Sequence, residues 1–153
     1  MRKKILSLIL CAVLLLPIFS ISLATFAATE DEIEASIVAG LEWLASVQNP
    51  DGSWPDYEPV AKTGLAVLKF IDRAKELGEN HFDDGYQFYS QVELGLEYLF
   101  MNAYTMPITP QPAGDPYTNG NGIGVYFFYG TWHHSYTTGI CLMAIGSADS
   151  CAD

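Results

Sequence analysis

The chain has 153 residues, of which 18 are acidic and seven are basic, and its formal net charge is −11. This length corresponds to a single domain. A strong excess of negative charge repels nucleic acid and anionic membrane surfaces, so the composition excludes a nucleic-acid-binding protein.

The N-terminal segment, residues 1–27, has the pattern of a secretory signal peptide. Three basic side chains, Arg2 to Lys4, precede an almost wholly apolar run that ends at Leu16, and small residues lead to a cleavage site after Ala27. This predicts a secreted protein that is either released or held at the cell surface. An uncleaved membrane anchor is the alternative, although Pro17 keeps the apolar run below the roughly 20 residues that a span needs.

Cleavage leaves residues 28–153, which are predicted to form one domain. These residues keep all 18 acidic side chains and four of the seven basic ones, so their formal net charge is −14. Two cysteines remain, Cys141 and Cys151. In an oxidising compartment they could form a disulfide. The alternative is that Cys141 is a free, buried residue of a helix.

The first predicted helix covers residues 30–47. Its apolar positions, Ile33, Ile37, Leu41 and Leu44, are separated by four, four and three residues, which is helical spacing. Thr29 precedes the helix and is a favourable N-cap. The segment from Asn49 to Gly52 ends it, because Pro50 donates no backbone hydrogen bond and Gly52 tolerates a positive φ.

Three more helices are predicted, over residues 59–77, 88–104 and 135–145. In the second, Pro59 suits the first turn and Gly78 suits the C-cap. The predicted buried stripes are Ala61, Gly64, Leu65, Leu68, Ile71 and Leu77 in the second helix, and Phe88, Val92, Gly95, Leu96 and Leu99 in the third. Residues 105–130 are rich in proline, glycine and asparagine, which predicts a long functional or mobile loop.

The four predicted helices form two similar pairs. The sequence from Gly40 to Leu44 is echoed from Gly95 to Leu99, and the sequence from Thr63 to Leu68 is echoed from Thr138 to Met143. The chain therefore contains an internal repeat, and each unit is a helical hairpin. Such a hairpin cannot bury its apolar face alone, so hairpins of this kind stack on one another.

The segment from Gly40 to Trp54 is the most specific in the chain. Gln48, Gly52 and Trp54 make a Gln-x-x-x-Gly-x-Trp turn that resembles the QW motif of the prenyltransferase and squalene-cyclase (terpenoid cyclase) repeat superfamily. The resemblance covers most of residues 28–153 and is weaker in the second hairpin, where Gly130-Thr131-Trp132 is only an approximate substitute for the turn.

This resemblance implies an all-α fold, an α/α toroid in which helical hairpins surround a central cavity. Rings of the family contain more than two hairpins, so we expect a partial toroid of two hairpins that belongs to a longer protein. Its expected partners are its own missing C-terminal repeats or another copy of the chain. The resemblance gives Gln48, Gly52 and Trp54 a structural role.

Catalytic motifs of the superfamily are matched poorly. Asp83-Asp84-Gly85 lacks the first residue of the Asp-x-Asp-Asp acid of terpene cyclases, and its alternative interpretation is a polar turn. Asp149-Ser150-Cys151 has the Asp-x-Cys spacing of the prenyltransferase zinc site, but Thr137 stands where the family has a histidine ligand. We therefore expect no catalytic residue, metal or cofactor in this chain.

Aromatic side chains crowd the region from Tyr117 to Tyr136. Beside polar groups they could hold a sugar or a peptide, and the alternative is that they fill the core. The candidate ligand-binding residues are Tyr126, Tyr129, Trp132, His133, His134 and Tyr136.

Three functions follow as hypotheses. The first is a secreted, non-catalytic repeat domain that acts as an interaction or binding scaffold. The second is the N-terminal part of a terpene-cyclase-like or prenyltransferase-like enzyme whose catalytic residues lie beyond residue 153. The third is binding of a carbohydrate or peptide at the aromatic strip, residues 117–136.

Overall fold

The computed structural model describes residues 27–55, 57–108, 122–128 and 134–149. Within them the chain forms four helices and one two-stranded sheet. The helices are α1 (Glu30–Ser46), α2 (Pro59–Leu77), α3 (Tyr89–Met101) and α4 (His134–Asp149), and the strands are β1 (Ala103–Pro107) and β2 (Ile123–Phe127). The predicted helical character is confirmed, and the small sheet is an addition to it.

The chain divides into two compact units, Met1–Ile37 and Val38–Asp153. In the described part of the first unit, Thr29 caps α1 as predicted. The amide of Glu32 donates to Thr29 Oγ1 at 3.3 Å, and the amide of Thr29 donates to the Glu32 carboxylate at 2.9 Å. This reciprocal pair satisfies two amides that would otherwise lack partners. The hydrogen bond from the Thr29 backbone also lowers the pKa of Glu32.

Helix α1 buries less of its predicted stripe than the spacing indicated. Ile33 and Ile37 are exposed, Leu44 is half-buried, and Leu41 is buried. Helical spacing therefore identified the helix correctly, but it did not identify how much of the apolar side is covered.

Helix α2 is central to the second unit and packs against both α3 and α4. Its bounds agree with the prediction, since Pro59 begins it and Gly78 ends it with a φ of 69°. The predicted stripe is wrong at Leu65 and Leu77, which are exposed. It is confirmed at Ala61, Gly64 and Ile71. The buried face also includes residues outside the predicted stripe, namely Val60, Thr63, Val67, Phe70 and Ala74.

The predicted stripe of the third helix, from Phe88 to Leu99, is buried throughout. Phe88 is the N-cap of α3, which begins at Tyr89 and ends at Met101, not at Tyr104. The predicted loop over residues 105–130 is wrong at both ends. Strands β1 and β2 pair there in antiparallel register, with Tyr104 opposite Tyr126. Aromatic and β-branched residues favour such a ladder, and the prolines and glycines between the strands concealed it from pattern reading. Residues 109–121 lie outside the described part.

Aromatic rings form the centre of the core. The ring centroid of Phe70 lies 5.9 Å from that of Trp54 and 4.9 Å from that of Phe88. The buried hydroxyl of Tyr86 donates to the carbonyl of Phe70 at 2.6 Å. Burial raises the pKa of Tyr86 to about 12, so this hydroxyl keeps its proton at neutral pH. The aromatic cluster thus joins α2 to the segment that leads into α3.

Cys141 is a free, fully buried thiol in α4, and its Sγ lies 3.8 Å from the carbonyl of Val60 in α2. Burial raises its pKa to about 12, which keeps it protonated. Its predicted disulfide partner, Cys151, lies outside the described residues. No helix in the described ranges is both long and apolar enough to cross a membrane.

Candidate functional site

The turn between α1 and α2 is held by the side chain of Gln48. Its Nε2 donates to the carbonyl of Gly52 and to the carbonyl of Gln91 in the first turn of α3, each at 3.1 Å. One amide group therefore closes the turn and holds it against α3. Asp51 tightens the same turn by accepting hydrogen bonds from Ser53, and these bonds lower the pKa of Asp51.

Gly52 lies directly against the backbone of α3. Its φ is 84°, which glycine adopts without steric cost. A Cβ at this position would lie 2.0 Å from the carbonyl oxygen of Leu94. The turn therefore requires glycine here for its conformation and for its close approach to α3.

Trp54 connects the end of α1 with the start of α2. Its indole ring is buried, and Nε1 donates to the carbonyl of Leu44 at 2.8 Å. Its backbone amide donates to Thr63 Oγ1 at 3.1 Å, and that hydroxyl donates to the carbonyl of Pro59 at 2.7 Å. Gln48, Gly52 and Trp54 therefore hold the turn against α2 and α3.

The second predicted hairpin, which pairs α3 with α4, repeats part of this arrangement. The backbone amide of Phe127 donates to Thr138 Oγ1 at 3.0 Å, and the Phe127 ring is buried. Thr138 is the counterpart of Thr63 in the internal repeat, so Phe127 occupies the position of Trp54. Sequence reasoning favoured Gly130-Thr131-Trp132 for that role, and those residues lie outside the described part. The shared Thr-Gly pair was the signal that could have identified Phe127.

An apolar groove lies beside the first hairpin, here called the Trp43 groove. Its volume is about 560 Å³. Its lining is Trp43, Leu44, Val47, Trp54, Pro55, Lys62, Leu65, Ala66 and Lys69. Sequence reasoning missed this groove, because it assigned Leu65 to the core.

A second groove lies between the strand pair and α4, here called the Leu142 groove. Its volume is about 570 Å³, and it is lined by Met106, Tyr126, Ser135, Thr138, Gly139 and Leu142. The ring of Tyr126 stacks on that of Tyr104 with centroids 5.6 Å apart. This groove combines apolar side chains with the hydroxyl-bearing residues Tyr126, Ser135 and Thr138.

Among the six predicted ligand-binding residues, the structure places Tyr126 in the Leu142 groove. Tyr136 is exposed in α4 and does not line this groove. His134 begins α4. Tyr129, Trp132 and His133 lie outside the described residues. The described part of the chain therefore brings one of the six to a concave surface.

The residues that weakly resemble catalytic motifs take part in a local turn and in helix packing. Asp83 Oδ1 accepts the amide of Gly85 at 2.9 Å within a turn. Thr137 is buried in α4. In the residues that the structure describes, no group of three His, Cys, Asp or Glu side chains is arranged to hold a metal.

His81 is a polar side chain that sequence reasoning overlooked. Its ring is fully buried, stands 4.3 Å from the ring of Phe82, and neither nitrogen has a hydrogen-bond partner among the described groups. Burial lowers its pKa, and the positive charge of Lys75 lowers it further, while the nearby backbone of Ala148 opposes part of this shift. The ring is therefore neutral at physiological pH.

We expect the folded state to lose stability as the pH falls below the ordinary histidine pKa of about 6.5. The pKa of His81 is lower in the folded state than in the unfolded chain. The unfolded chain therefore binds more protons at pH values between the two pKa values. The stability that the neutral ring contributes is present in full only above the pKa of the unfolded chain. Urea unfolding at several pH values, compared between wild type and His81→Leu, measures this effect. The difference between the two proteins should change as the pH falls, and a constant difference would contradict the prediction.

A scan against protein-family models finds no match for the chain, and searches of curated proteins and of solved structures find none. The resemblance to the toroid superfamily therefore remains a prediction from the sequence motif alone.

Proposed function

We propose that this chain is a secreted, non-catalytic domain of stacked helical hairpins, part of an α/α toroid, and that it acts as a binding scaffold. One repeated junction carries the proposal. The hydroxyl of Thr63 accepts a hydrogen bond from the backbone amide of the buried Trp54, and the hydroxyl of Thr138 accepts one from that of the buried Phe127. A junction that recurs at equivalent places is what stacked repeats require.

Exposed apolar surface supports a binding role. Trp43 and Leu65 are exposed beside the Trp43 groove, and Leu142 is exposed beside the Leu142 groove. Apolar surface of this kind marks interaction sites when it is contiguous. Both grooves are of the size that holds a small ligand or a peptide side chain.

The test separates a scaffold from an enzyme of the same architecture. The full-length protein, with any residues that its gene encodes after Asp153, is purified and incubated with squalene, and separately with farnesyl diphosphate and a cysteine-containing peptide, and the products are analysed by mass spectrometry. The proposal expects unchanged substrate in both reactions. A cyclised triterpene or a prenylated peptide would overturn it in favour of the enzyme hypothesis.

The secreted character is tested separately by N-terminal analysis of the chain recovered outside the cell. The proposal expects a chain that begins at Ala28. Recovery of the uncleaved chain from the membrane fraction would replace the secreted form with an anchored one.

A carbohydrate-binding or peptide-binding role is a second candidate, because the stacked rings of Tyr104 and Tyr126 stand beside the hydroxyls of the Leu142 groove. Aromatic faces hold sugar rings through their apolar surfaces. A glycan array and a peptide array test it, with Tyr126→Ala expected to lose the signal. The matched control is Tyr57→Ala, an exposed tyrosine that lines neither groove. A signal that survives Tyr126→Ala would contradict this candidate.

A further inference from the structure

The internal repeat allows each position of one hairpin to be compared with its counterpart in the other. Gly40, Trp43 and Leu44 correspond to Gly95, Tyr98 and Leu99, while Gly64, Leu65 and Val67 correspond to Gly139, Ile140 and Leu142. Where counterparts differ in burial, the difference shows which surface of a hairpin is covered by its neighbour and which surface is left open.

In the first helix of each pair, α1 and α3, the open surface is on α1. A Cβ on Gly95 of α3 would lie 2.4 Å from Val67 Cγ2 and 3.4 Å from Trp54 Cζ3, so α3 packs closely on the hairpin that precedes it. A Cβ on Gly40 would have nothing within 4 Å. Consistently, Tyr98 is 8% exposed, whereas its counterpart Trp43 is 64% exposed.

In the second helix of each pair, α2 and α4, the open surface is on α4. A Cβ on Gly64 of α2 would lie 2.8 Å from Ile140 Cγ2, so α4 packs closely on α2 at this glycine. The counterpart of Gly64 is Gly139, and a Cβ there would have nothing within 4 Å. Val67 is fully buried, whereas its counterpart Leu142 is 52% exposed.

These two open surfaces are complementary. Within the chain, α3 and α4 place Gly95 on Val67 and Ile140 on Gly64. On the first hairpin, Gly40 and the exposed Leu65 are the counterparts of Gly95 and Ile140, and they are uncovered in the described chain. On the second hairpin, Leu142 and Gly139 are the counterparts of Val67 and Gly64, and they too are uncovered. The surface around Gly40, Trp43 and Leu65 is here called the leading face, and that around Thr138, Gly139 and Leu142 the trailing face.

We propose that the trailing face binds the leading face of a second copy of this chain, head to tail, and so repeats the packing that already joins the two hairpins. This inference deepens the proposed scaffold function and depends on it. The occupant is a second copy because the same chain presents both halves of the contact, and because the contact continues the α2 to α3 and α2 to α4 interfaces without a new geometry. A contact between unlike faces builds rings or open assemblies, not a closed symmetric dimer.

Both glycines allow the contact to be blocked without disturbing the hairpins. A side chain at Gly40 or Gly139 meets open space in the single chain, and replacing a helical glycine also removes part of the backbone entropy cost of folding. In a docked pair the same side chain would stand where two helices approach closely. The blocking variants are therefore Gly40→Gln for the leading face and Gly139→Gln for the trailing face.

Sedimentation velocity from low micromolar to several hundred micromolar measures the assembly. Wild type is expected to grow in mass with concentration, and each blocked variant is expected to remain a monomer with unchanged far-ultraviolet circular dichroism. An equimolar mixture of the two variants is expected to form a dimer that grows no further, because each variant retains the face that the other has lost. Tyr57→Gln, which removes an exposed ring outside both grooves, is expected to assemble as wild type does.

Three results would overturn the inference: a wild type that stays monomeric, a single blocked variant that still dimerises, or a mixture that stays monomeric. A monomeric wild type would leave the trailing face to another occupant, such as the next hairpin of a longer chain. None of these results changes the product analysis that tests the scaffold function, so the two proposals fail independently.

Discussion

Replacing Trp54 by alanine is expected to lower the free energy of unfolding by about 3–5 kcal/mol, as removal of a large buried aromatic side chain usually does. The indole fills the space beside Phe70, and Nε1 occupies the carbonyl of Leu44, which the substitution leaves without this donor. Small domains have a total stability of about 5–15 kcal/mol, so this loss is a large fraction of the total. Urea unfolding followed by circular dichroism measures the loss.

The matched control is Trp43→Ala, which removes the same side chain from an exposed position of the same hairpin. Surface substitutions usually change stability by no more than about 0.5 kcal/mol. The comparison is made at low protein concentration, where contacts between copies contribute nothing to either value. Equal losses in the two variants would contradict the central role of Trp54.

Replacing Gly52 by alanine is expected to cost about 2–5 kcal/mol from two independent causes. A left-handed backbone costs a residue with a Cβ about 1–2 kcal/mol. In addition, the new Cβ would lie 2.0 Å from the carbonyl oxygen of Leu94, and overpacking of this kind usually costs about 1–3 kcal/mol. The obstacle is backbone, so a change of side-chain rotamer cannot relieve it. Thermal unfolding of the purified variant measures the sum.

Gly78→Ala separates the two causes. Gly78 also has a left-handed backbone, with a φ of 69°, but a Cβ there would have nothing within 4 Å. This control should show only the conformational part of the loss. If both variants lost the same stability, the close approach of the turn to α3 would not contribute.

Local features of the fold were predictable because their causes are local. Proline at the start and glycine at the end set the bounds of α2, and the Thr29 cap of α1 needs only residues within one turn. The turn from Gln48 to Trp54 was recognisable for the same reason. Its partners were not, because Gln91 and Leu94 belong to a helix that is distant in sequence.

The errors arose where burial depends on distant elements. Leu65 matched a helical stripe, yet it is exposed because the described chain provides no helix to cover it. The strands were missed because each ladder residue is stabilised by a partner about twenty positions away, such as Tyr126 opposite Tyr104. Phe127 was missed as the counterpart of Trp54 because the shared feature is a bond to a threonine hydroxyl, and not a shared side chain.

The spacing of the Trp54 contacts in the sequence also bears on the order in which the chain folds. The bonds of Trp54 to Leu44 and to Thr63 join residues ten and nine positions apart, whereas the bond of Gln48 to Gln91 spans 43 positions. Closing a short loop costs less entropy than closing a long one. The first hairpin is therefore expected to close early. The Gln48 amide, already bonded to the carbonyl of Gly52, would then be in place to donate its second N–H to Gln91 when α3 docks. A chain that is synthesised from its N-terminus would form these contacts in the same order.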